Sequence, residues 1–418
     1  MTMLEEVFRS AWPVVVASTA RLTRDLDLAE DCTQEAVERA LRRWPAGFPD
    51  NPAGWLTTTA HRIALDRLRR EATLRRKLPL LVDPVSGAGG SAVEGSAVEG
   101  WAIGEDADPE PTDPLRLVFT CCHPALSSES RVALTLRLVC GVDVATIAAV
   151  LLAGEAAVAR RITRAKRKIA VARVPFRVPA GDELVERLDA VLTVVHLVYT
   201  AGHVGPGTRL RDTDLTGRAL GLARMLVALL PGEPEPRALL GLLLLTEARG
   251  DARTGADGEL VLLPDQDRSG WDRRLIREGL GLAASALRAG PDGRYALQAG
   301  VAGLHAVAPS WAQTDWARVV VTYDALLRVW PSPVVALNRA VARSRLPGAD
   351  PVAVLAEIDA LAPELAGYPY LPAARADLLV RLGRPAEAAA AYDGALAVTR
   401  NPVERRHLTR RRAETGTP

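Results

Sequence analysis

The segment from Gly141 to Lys168 constrains the fold of this chain most strongly, because it predicts two helices separated by a tight turn. Asp143 is a suitable N-cap for the first helix. Leu152-Ala153-Gly154 supplies the turn, and Glu155 opens the second helix. Apolar residues recur at helical spacing along both helices and are expected to face inward: Val144, Ile147, Leu151, Val158, Ile162 and Ile169. This arrangement is a helix-turn-helix, whose second helix enters the major groove of DNA.

The predicted second helix carries a high density of positive charge. Residues 160–177 contain eight Lys or Arg residues and no acid. Such a run favours a polyanion as partner, since arginine pairs well with guanine edges and with phosphates. The alternative is a solvated, arginine-rich helix on an ordinary bundle. We expect the groove-facing residues to contact double-stranded DNA: Glu155, Arg160, Arg161, Arg164 and Lys168.

A second basic segment and an acidic spacer complete the charge pattern. Residues 55–77 hold seven basic residues against Asp66 and Glu71, whereas residues 78–115 hold no Lys or Arg and repeat the pentad SAVEG. Small and acidic residues bury too little surface to fold, so we expect a flexible linker over residues 79–112. This linker separates a helical domain at residues 1–78 from a second one at residues 113–175.

Composition favours helices throughout the chain. Of the 418 residues, 48% are apolar but only 4% are aromatic, and Ala, Leu, Val and Arg dominate. The predicted fold class is therefore all-α, with a long helical region over residues 180–418. Five helices are expected near its end, at residues 315–328, 334–344, 352–361, 373–382 and 385–398. The clearest unit, Ala374 to Leu396, fits a tetratricopeptide helix hairpin.

The motifs of common enzymes are missing from the sequence. It contains no P-loop, GxSxG, HExxH or dinucleotide-binding fingerprint, so we do not expect an enzyme. Cys121-Cys122-His123 offers metal-ligating groups, but no second pair follows at zinc-site spacing, and we expect neither a metal nor a cofactor. No apolar run reaches the length of a membrane span, and we find no signal peptide. We therefore expect a cytoplasmic protein with no membrane contact.

With both basic helices placed, the chain resembles the sigma factors of bacterial RNA polymerase, of the compact extracytoplasmic-function type. Asp25–Leu41 resembles the polymerase-binding helix of sigma region 2, and Gly54–Glu71 resembles the helix that melts and reads the −10 element. Leu134–Lys168 resembles sigma region 4, which reads the −35 element. The resemblance implies that the chain binds core RNA polymerase and directs promoter-specific initiation of transcription.

The resemblance also implies roles for two sets of residues in region 2. Acidic and polar groups would bind a basic groove on the polymerase: Asp27, Glu30, Asp31 and Gln34. An aromatic side chain and several arginines would hold the melted −10 DNA: Trp55, Arg62, Arg67, Arg69 and Arg70. Both sets have a structural alternative. The acids fit an ordinary exposed helix face, and aromatic residues such as Trp55 more often pack in a core than stack on DNA.

Several segments beyond region 2 resemble the sigma factors that carry a large tetratricopeptide-like C-terminal extension: Thr120–Gly141, Leu263–Leu280, Tyr295–Gln298, His305, Thr314–Trp316 and Ser332–Ala342. Such an extension implies a regulatory role and a protein or peptide partner in its groove. Three places depart from the family pattern: Tyr199–His203, His61-Arg62 and Gly154 in the helix-turn-helix turn.

Two alternatives stay open. The chain could instead be a polymerase-independent helix-turn-helix regulator with a tetratricopeptide-like sensor, although this leaves Asp25–Leu41 and Gly54–Glu71 without a role. Within the extension, one polar cluster either lines a site or caps and bridges helices: Asp265, Asp267, Arg268, Trp271 and Asp272.

Overall fold

Every regular element in the part of the chain that the structure describes is helical. This computed structural model describes residues 3–77, 110, 112–151, 153–205 and 210–416. The predicted all-α fold is confirmed, and an isolated β-bridge between Thr254 and Leu260 is the only extended pairing in these ranges. The linker predicted over residues 79–112 lies outside the described residues, except for residues 110 and 112.

The chain divides into two compact units, Met1–Ile147 with Gly154–Arg187, and Ala148–Ala153 with Leu188–Pro418. The first eight α-helices of the described chain are α1 (Met3–Thr23), α2 (Leu26–Arg43), α3 (Pro52–Lys77), α4 (Asp113–Cys121), α5 (Ser128–Leu134), α6 (Val144–Val150), α7 (Glu155–Val171) and α8 (Asp182–His203). Residues of α6 and α8 belong partly to each unit.

Helices α1, α2 and α3 pack against one another around small side chains. The α2 helix begins after Asp25, whose carboxylate accepts a hydrogen bond from the backbone N–H of Asp27 at 2.8 Å. Cys32, Ala36 and Ala40 recur every four residues, so they share one face of this helix, and all three are fully inaccessible. Because these side chains are small, the backbones of α1 and α3 can approach α2 closely.

The second helical group of the first unit contains α4, α5, α7 and a π-helical segment at Thr135–Val139. Its core includes Phe119 and Leu136, both fully buried. Cys121 and Cys122 are also buried and form no disulfide, and burial raises the pKa of the Cys122 thiol to about 11. Among the described residues, no group of three or more His, Cys, Asp or Glu side chains is placed to hold a metal ion.

The second unit is a succession of helices, each of which packs against its neighbour in the chain. They are α9 (Thr213–Leu229), α10 (Pro234–Glu247), α11 (Arg273–Ala289), α12 (Arg294–Val307), α13 (Trp316–Val329), α14 (Pro333–Arg343), α15 (Pro351–Ala360), α16 (Tyr370–Arg381), α17 (Pro385–Val398) and α18 (Pro402–Glu414). The five helices predicted near the end of the chain correspond to α13–α17, and their bounds agree within three residues. None of the described helices is long and apolar enough to cross a membrane.

Candidate nucleic-acid interface

The α7 helix presents a basic face to solvent, as predicted for the second helix of a helix-turn-helix. Its opposite face buries Val158, Ile162 and Ile169. Upstream, the Asp143 carboxylate accepts a hydrogen bond from the backbone N–H of Thr146 at 2.8 Å, which makes it the expected cap of α6. The predicted DNA-binding residues Glu155, Arg160, Arg164 and Lys168 are exposed, and Arg161 is half-buried. None of these four cations makes an ion pair with a described residue, and the three exposed ones are available to a polyanion, whereas Arg161 lies near enough to Glu129 to help lower the pKa of that carboxyl.

Lys166 is the exception among the cations of α7, because its side chain is only 7% exposed. Its Nζ donates a hydrogen bond to Glu30 Oε2 at 2.6 Å and another to Asp27 Oδ1 at 2.8 Å. Burial by itself would lower the pKa of Lys166, but the two carboxylates outweigh burial and raise that pKa. Lys166 is therefore charged and engaged with α2 rather than with solvent.

Glu30 is the centre of this contact. It is buried, and its second oxygen accepts hydrogen bonds from Arg137 Nε and, at 3.1 Å, from Gln34 Nε2. A buried carboxylate needs such partners, since an unpaired buried charge costs several kcal/mol. We call the four charged residues of this contact the Glu30 ion cluster: Asp27, Glu30, Arg137 and Lys166.

Two residues of the α1 helix, Trp12 and Arg21, make further contacts with the α4–α7 group. Trp12 Nε1 donates a hydrogen bond to the backbone carbonyl of Leu138 at 3.1 Å. Gly141 lies beside the same indole with φ +64°, and a Cβ there would come within 2.9 Å of Trp12 Cγ. Arg21 Nε donates to Asp113 Oδ2 at 3.0 Å, and that carboxylate is fully buried. The two predicted helical domains are thus packed together within the first unit.

The residues predicted to bind polymerase consequently differ in their accessibility. Asp27 and Asp31 are exposed, Gln34 is half-buried, and Glu30 is buried. Asp31 lies 3.7 Å from Arg67 on α3. Only part of this acidic set therefore faces solvent while α2 and α7 are in contact.

The arginines predicted to hold melted DNA lie along α3. Arg62 and Arg69 are exposed and make no ion pair with any residue that the structure describes. Arg70 is exposed and pairs with Asp66 at 2.7 Å, one helical turn away. Arg67 is half-buried and pairs with Glu35 of α2 at 2.7 Å. Two of these four side chains are thus free to contact phosphates, and the other two must exchange an intramolecular partner first.

Two ring-bearing side chains of α3 point toward the protein. Trp55 is half-buried and packs edge-on against Trp44, with ring centroids 5.6 Å apart, which is the geometry of the core-packing alternative. His61 Nε2 lies 2.9 Å from the Ser18 hydroxyl oxygen of α1, and burial lowers its pKa. His61 is one of the residues that depart from the family pattern, and its imidazole joins α1 to α3.

Sequence reasoning missed Lys166 and Arg137 as partners of Glu30. A signal was present for Lys166, since it lies four residues after Ile162 and three before Ile169, within the buried stripe of α7. A charged residue inside an apolar stripe indicates a buried partner of opposite sign. No comparable periodic signal marks Arg137.

Three protein-family models match separate parts of the chain. Sigma-70 region 2 matches residues 7–73, and Sigma-70, region 4 matches residues 116–169. A family of unknown function, DUF6596, matches residues 187–287.

Similar proteins extend this result along the chain. Uncharacterized protein R00370 of Rhizobium meliloti (strain 1021) is 41% identical over 401 residues, which is 96% of this chain and 92% of that protein. A protein of Mycobacterium tuberculosis, "Probable ECF RNA polymerase sigma factor SigI", is 31% identical over 169 residues, which is 40% of this chain and 54% of that protein. The chain therefore belongs to the same family as R00370, and it is a sigma-70-like factor with region 2 and region 4 domains ahead of a helical C-terminal part.

Proposed function

We propose that this chain is an extracytoplasmic-function-type sigma factor that binds core RNA polymerase and directs promoter-specific initiation. The observation that carries the proposal is the combination of a region 2 bundle with a helix-turn-helix whose second helix carries four cations, three exposed and one half-buried, that lack a described ion-pair partner. The similarity to SigI, named as a probable ECF sigma factor, supports the same role. Such a protein performs no covalent chemistry of its own, and we propose no enzymatic activity.

In this proposal each basic helix has its own DNA substrate. The exposed face of α7 reads double-stranded −35 DNA through Arg160, Arg161, Arg164 and Lys168, with Glu155 at the N-terminal end of that helix. The α3 arginines, with Trp55 beside them, hold the melted −10 strand. The linker at residues 79–112 then spans between domain 1–78 and domain 113–175 when both are on the promoter.

The acids of α2 are the proposed polymerase contact, and the Glu30 ion cluster determines when they are available. The buried Glu30 cannot pair with a basic groove on polymerase while Lys166 and Arg137 hold it, and the exposed Asp27 shares the same Lys166. We therefore propose that the compact first unit is the polymerase-free state. Exchange of one set of cationic partners for another costs less than leaving a buried carboxylate unpaired, so polymerase can open this contact reversibly.

We further propose that residues 180–418 form a tetratricopeptide-like regulatory domain with a protein or peptide partner, and that the protein acts in the cytoplasm. Consecutive helices that pack in chain order support the repeat assignment. The second candidate function, a polymerase-independent regulator, draws support from the same exposed α7 face. It does not account for the acids of α2, of which Glu30 is buried and paired with two cations.

Charge reversal on α7 tests the proposal at residue level. Arg164→Glu is expected to abolish footprints at the −35 region of promoter DNA while core polymerase binding by the purified chain is retained. Arg288→Glu is the matched control, since Arg288 is an exposed arginine of α11 and its reversal changes the net charge equally. Loss of polymerase binding in the Arg164 variant, or equal loss of footprint in both variants, would contradict the proposed division of roles.

A further inference from the structure

The second unit contains a group of cations and aromatic rings that the transcription role leaves unexplained. Three segments of the chain meet there: the residues just after α10, the loop before α11, and the stretch from the last turn of α12 to the first residue of α13. We call the group the cation–tryptophan cluster: Arg249, Arg268, Trp271, His305, Trp311 and Trp316.

Arg268 contacts both Trp271 and the end of α12. Its Cζ lies 4.7 Å from the centroid of the Trp271 ring, a cation–π distance. Its Nη1 donates hydrogen bonds to the backbone carbonyls of His305 and, at 2.8 Å, of Ala308. The guanidinium is thereby fixed against the last turn of α12, and its other terminal nitrogen remains unused.

Aromatic rings form one side of the cluster. The His305 ring stacks on Trp311 with centroids 5.9 Å apart and planes 7° from parallel, and it meets Trp316 edge-on at 5.4 Å. Trp311 and Trp316 contact each other at 4.5 Å. The rings have further neighbours, since Arg345 Cζ lies 5.5 Å from the centroid of the Trp311 ring and Trp316 packs against the buried side chains of Val319 and Val320.

Several polar nitrogens of the cluster are buried and unsatisfied. Arg268 Nη2, Trp271 Nε1 and His305 Nδ1 have no hydrogen-bond partner among the described residues. Buried donors are nearly always paired, because an unpaired one loses its hydration without compensation. Arg268 Nη2 and Trp271 Nε1 are both donors, and their side chains contact each other, so this pair indicates a missing acceptor.

The net charge of the cluster is positive, which also favours an anionic ligand. Arg249 is half-buried and makes no hydrogen bond or ion pair with a described residue, and burial beside Arg268 lowers its pKa. The neighbouring carboxylate of Glu247 is already occupied by the Tyr199 hydroxyl at 2.9 Å and by Arg211. Burial near Arg249 and Arg268 lowers the pKa of His305 to about 4, so its ring is neutral at pH 7.

The acids of the polar cluster predicted in this segment act elsewhere. The Asp267 carboxylate accepts from the backbone N–H of Ser269 at 2.8 Å. Asp272 caps α11 through the N–H of Arg274 at 2.8 Å. The capping alternative therefore holds for these two acids, whereas Arg268 and Trp271 each carry an unsatisfied nitrogen.

We propose that the cation–tryptophan cluster is a binding site for a small oxyanion-bearing molecule, with carboxylate or phosphate oxygens accepting from Arg249, Arg268 and Trp271. Oxyanions match this donor set because guanidinium groups present charged, forked donors and the indole adds a neutral one. The site lies wholly within the second unit. The proposal therefore goes beyond the transcription role and can be tested independently of it.

Titration calorimetry on the full chain tests the site, with inorganic phosphate, acetate and succinate as probes at constant ionic strength. We expect saturable binding of phosphate or of a carboxylate, and the stronger probe identifies the oxyanion class. Arg249→Met is expected to weaken that binding about tenfold or more, since it removes one charge-assisted hydrogen bond. Arg288→Met, at an exposed arginine of α11, is the matched control and should leave the affinity unchanged.

Thermal unfolding supplies a second reading on the same variants. Because Arg249 has no described partner, Arg249→Met should keep or raise the melting temperature without a ligand and lose the stabilisation that the bound probe gives to the wild type. The proposal is overturned if no probe binds saturably, if Arg249→Met and Arg288→Met bind equally well, or if Arg249→Met lowers the melting temperature when no probe is present.

Discussion

Replacing Lys166 by Met should loosen the contact between α2 and α7. Lys166 makes two charged hydrogen bonds of unequal weight. The one to Glu30 joins two side chains that are each 7% exposed, whereas the one to Asp27 reaches a carboxylate that is 63% exposed and screened by water. The first is worth about 1.5–3 kcal/mol and the second at most about 1 kcal/mol. Glu30 keeps Arg137 and Gln34, so the cost stays below that of a fully orphaned carboxylate.

We therefore expect Lys166→Met to shift the equilibrium between closed and open first units by about 2–3 kcal/mol. This corresponds to roughly 30- to 150-fold in favour of the open form. Met retains the length and apolar character of the lysine stem, so the change isolates the charge. Lys168→Met is the control, since Lys168 lies two residues further along α7 and is exposed.

Pulsed electron spin resonance can measure this opening directly, with spin labels at Glu38→Cys on α2 and Ala159→Cys on α7. Both positions are exposed, and the native cysteines are buried. The wild type and Lys168→Met should give one short distance, and Lys166→Met should add a longer one and bind core polymerase more tightly. An unchanged distance distribution in Lys166→Met, together with unchanged polymerase affinity, would refute the role given to the Glu30 ion cluster.

Three further results are expected. Gly141→Ala should destabilise the first unit by about 2–3 kcal/mol, because φ is +64° and the new Cβ meets an indole, whereas Gly154→Ala, in open space at φ −75°, should cost under about 0.5 kcal/mol in urea unfolding. Native protein at pH 7.5 should resist alkylation by iodoacetamide until urea is added, since burial raises the pKa of Cys122 to about 11 and all four thiols are buried. Burial lowers the pKa of His196 to about 4 and of His203 to about 2, so below pH 6.5 the unfolded chain binds protons that the folded chain does not. Stability should therefore fall as pH drops from 6.5 toward 4, by up to about 1.4 kcal/mol per pH unit for each histidine, and His196→Gln should reduce this slope in thermal melts.

Local periodicity was sufficient to predict the helices and their buried faces. Cys32 and Ala36 on α2, and Val158 and Ile162 on α7, are buried as their spacing predicts, because a helix places every third or fourth residue on one face. The capping role of Asp143 follows from the same local rules. These features depend on neighbours within a few residues, so a single sequence is enough to predict the helices, their buried faces and their caps.

Contacts between distant segments were not predictable in this way. Glu30 and Lys166 are 136 residues apart, and nothing in the periodicity of either helix specifies the other as partner. The same holds for Arg268 and the carbonyl of His305, which meet only because α11 and α12 pack side by side. Sequence reasoning therefore identified the charged faces, while the structure determined which of those charges are already occupied.

The most direct test of the central claim is in vitro transcription by purified core RNA polymerase on a pool of genomic promoter fragments. Transcript 5′ ends are mapped with this chain present, with the chain absent, and with the Arg164→Glu variant in its place. We predict initiation at a defined set of promoters that requires the wild-type chain and needs no other sigma factor. Initiation that appears only when another sigma factor is supplied would contradict the account and favour a polymerase-independent regulator.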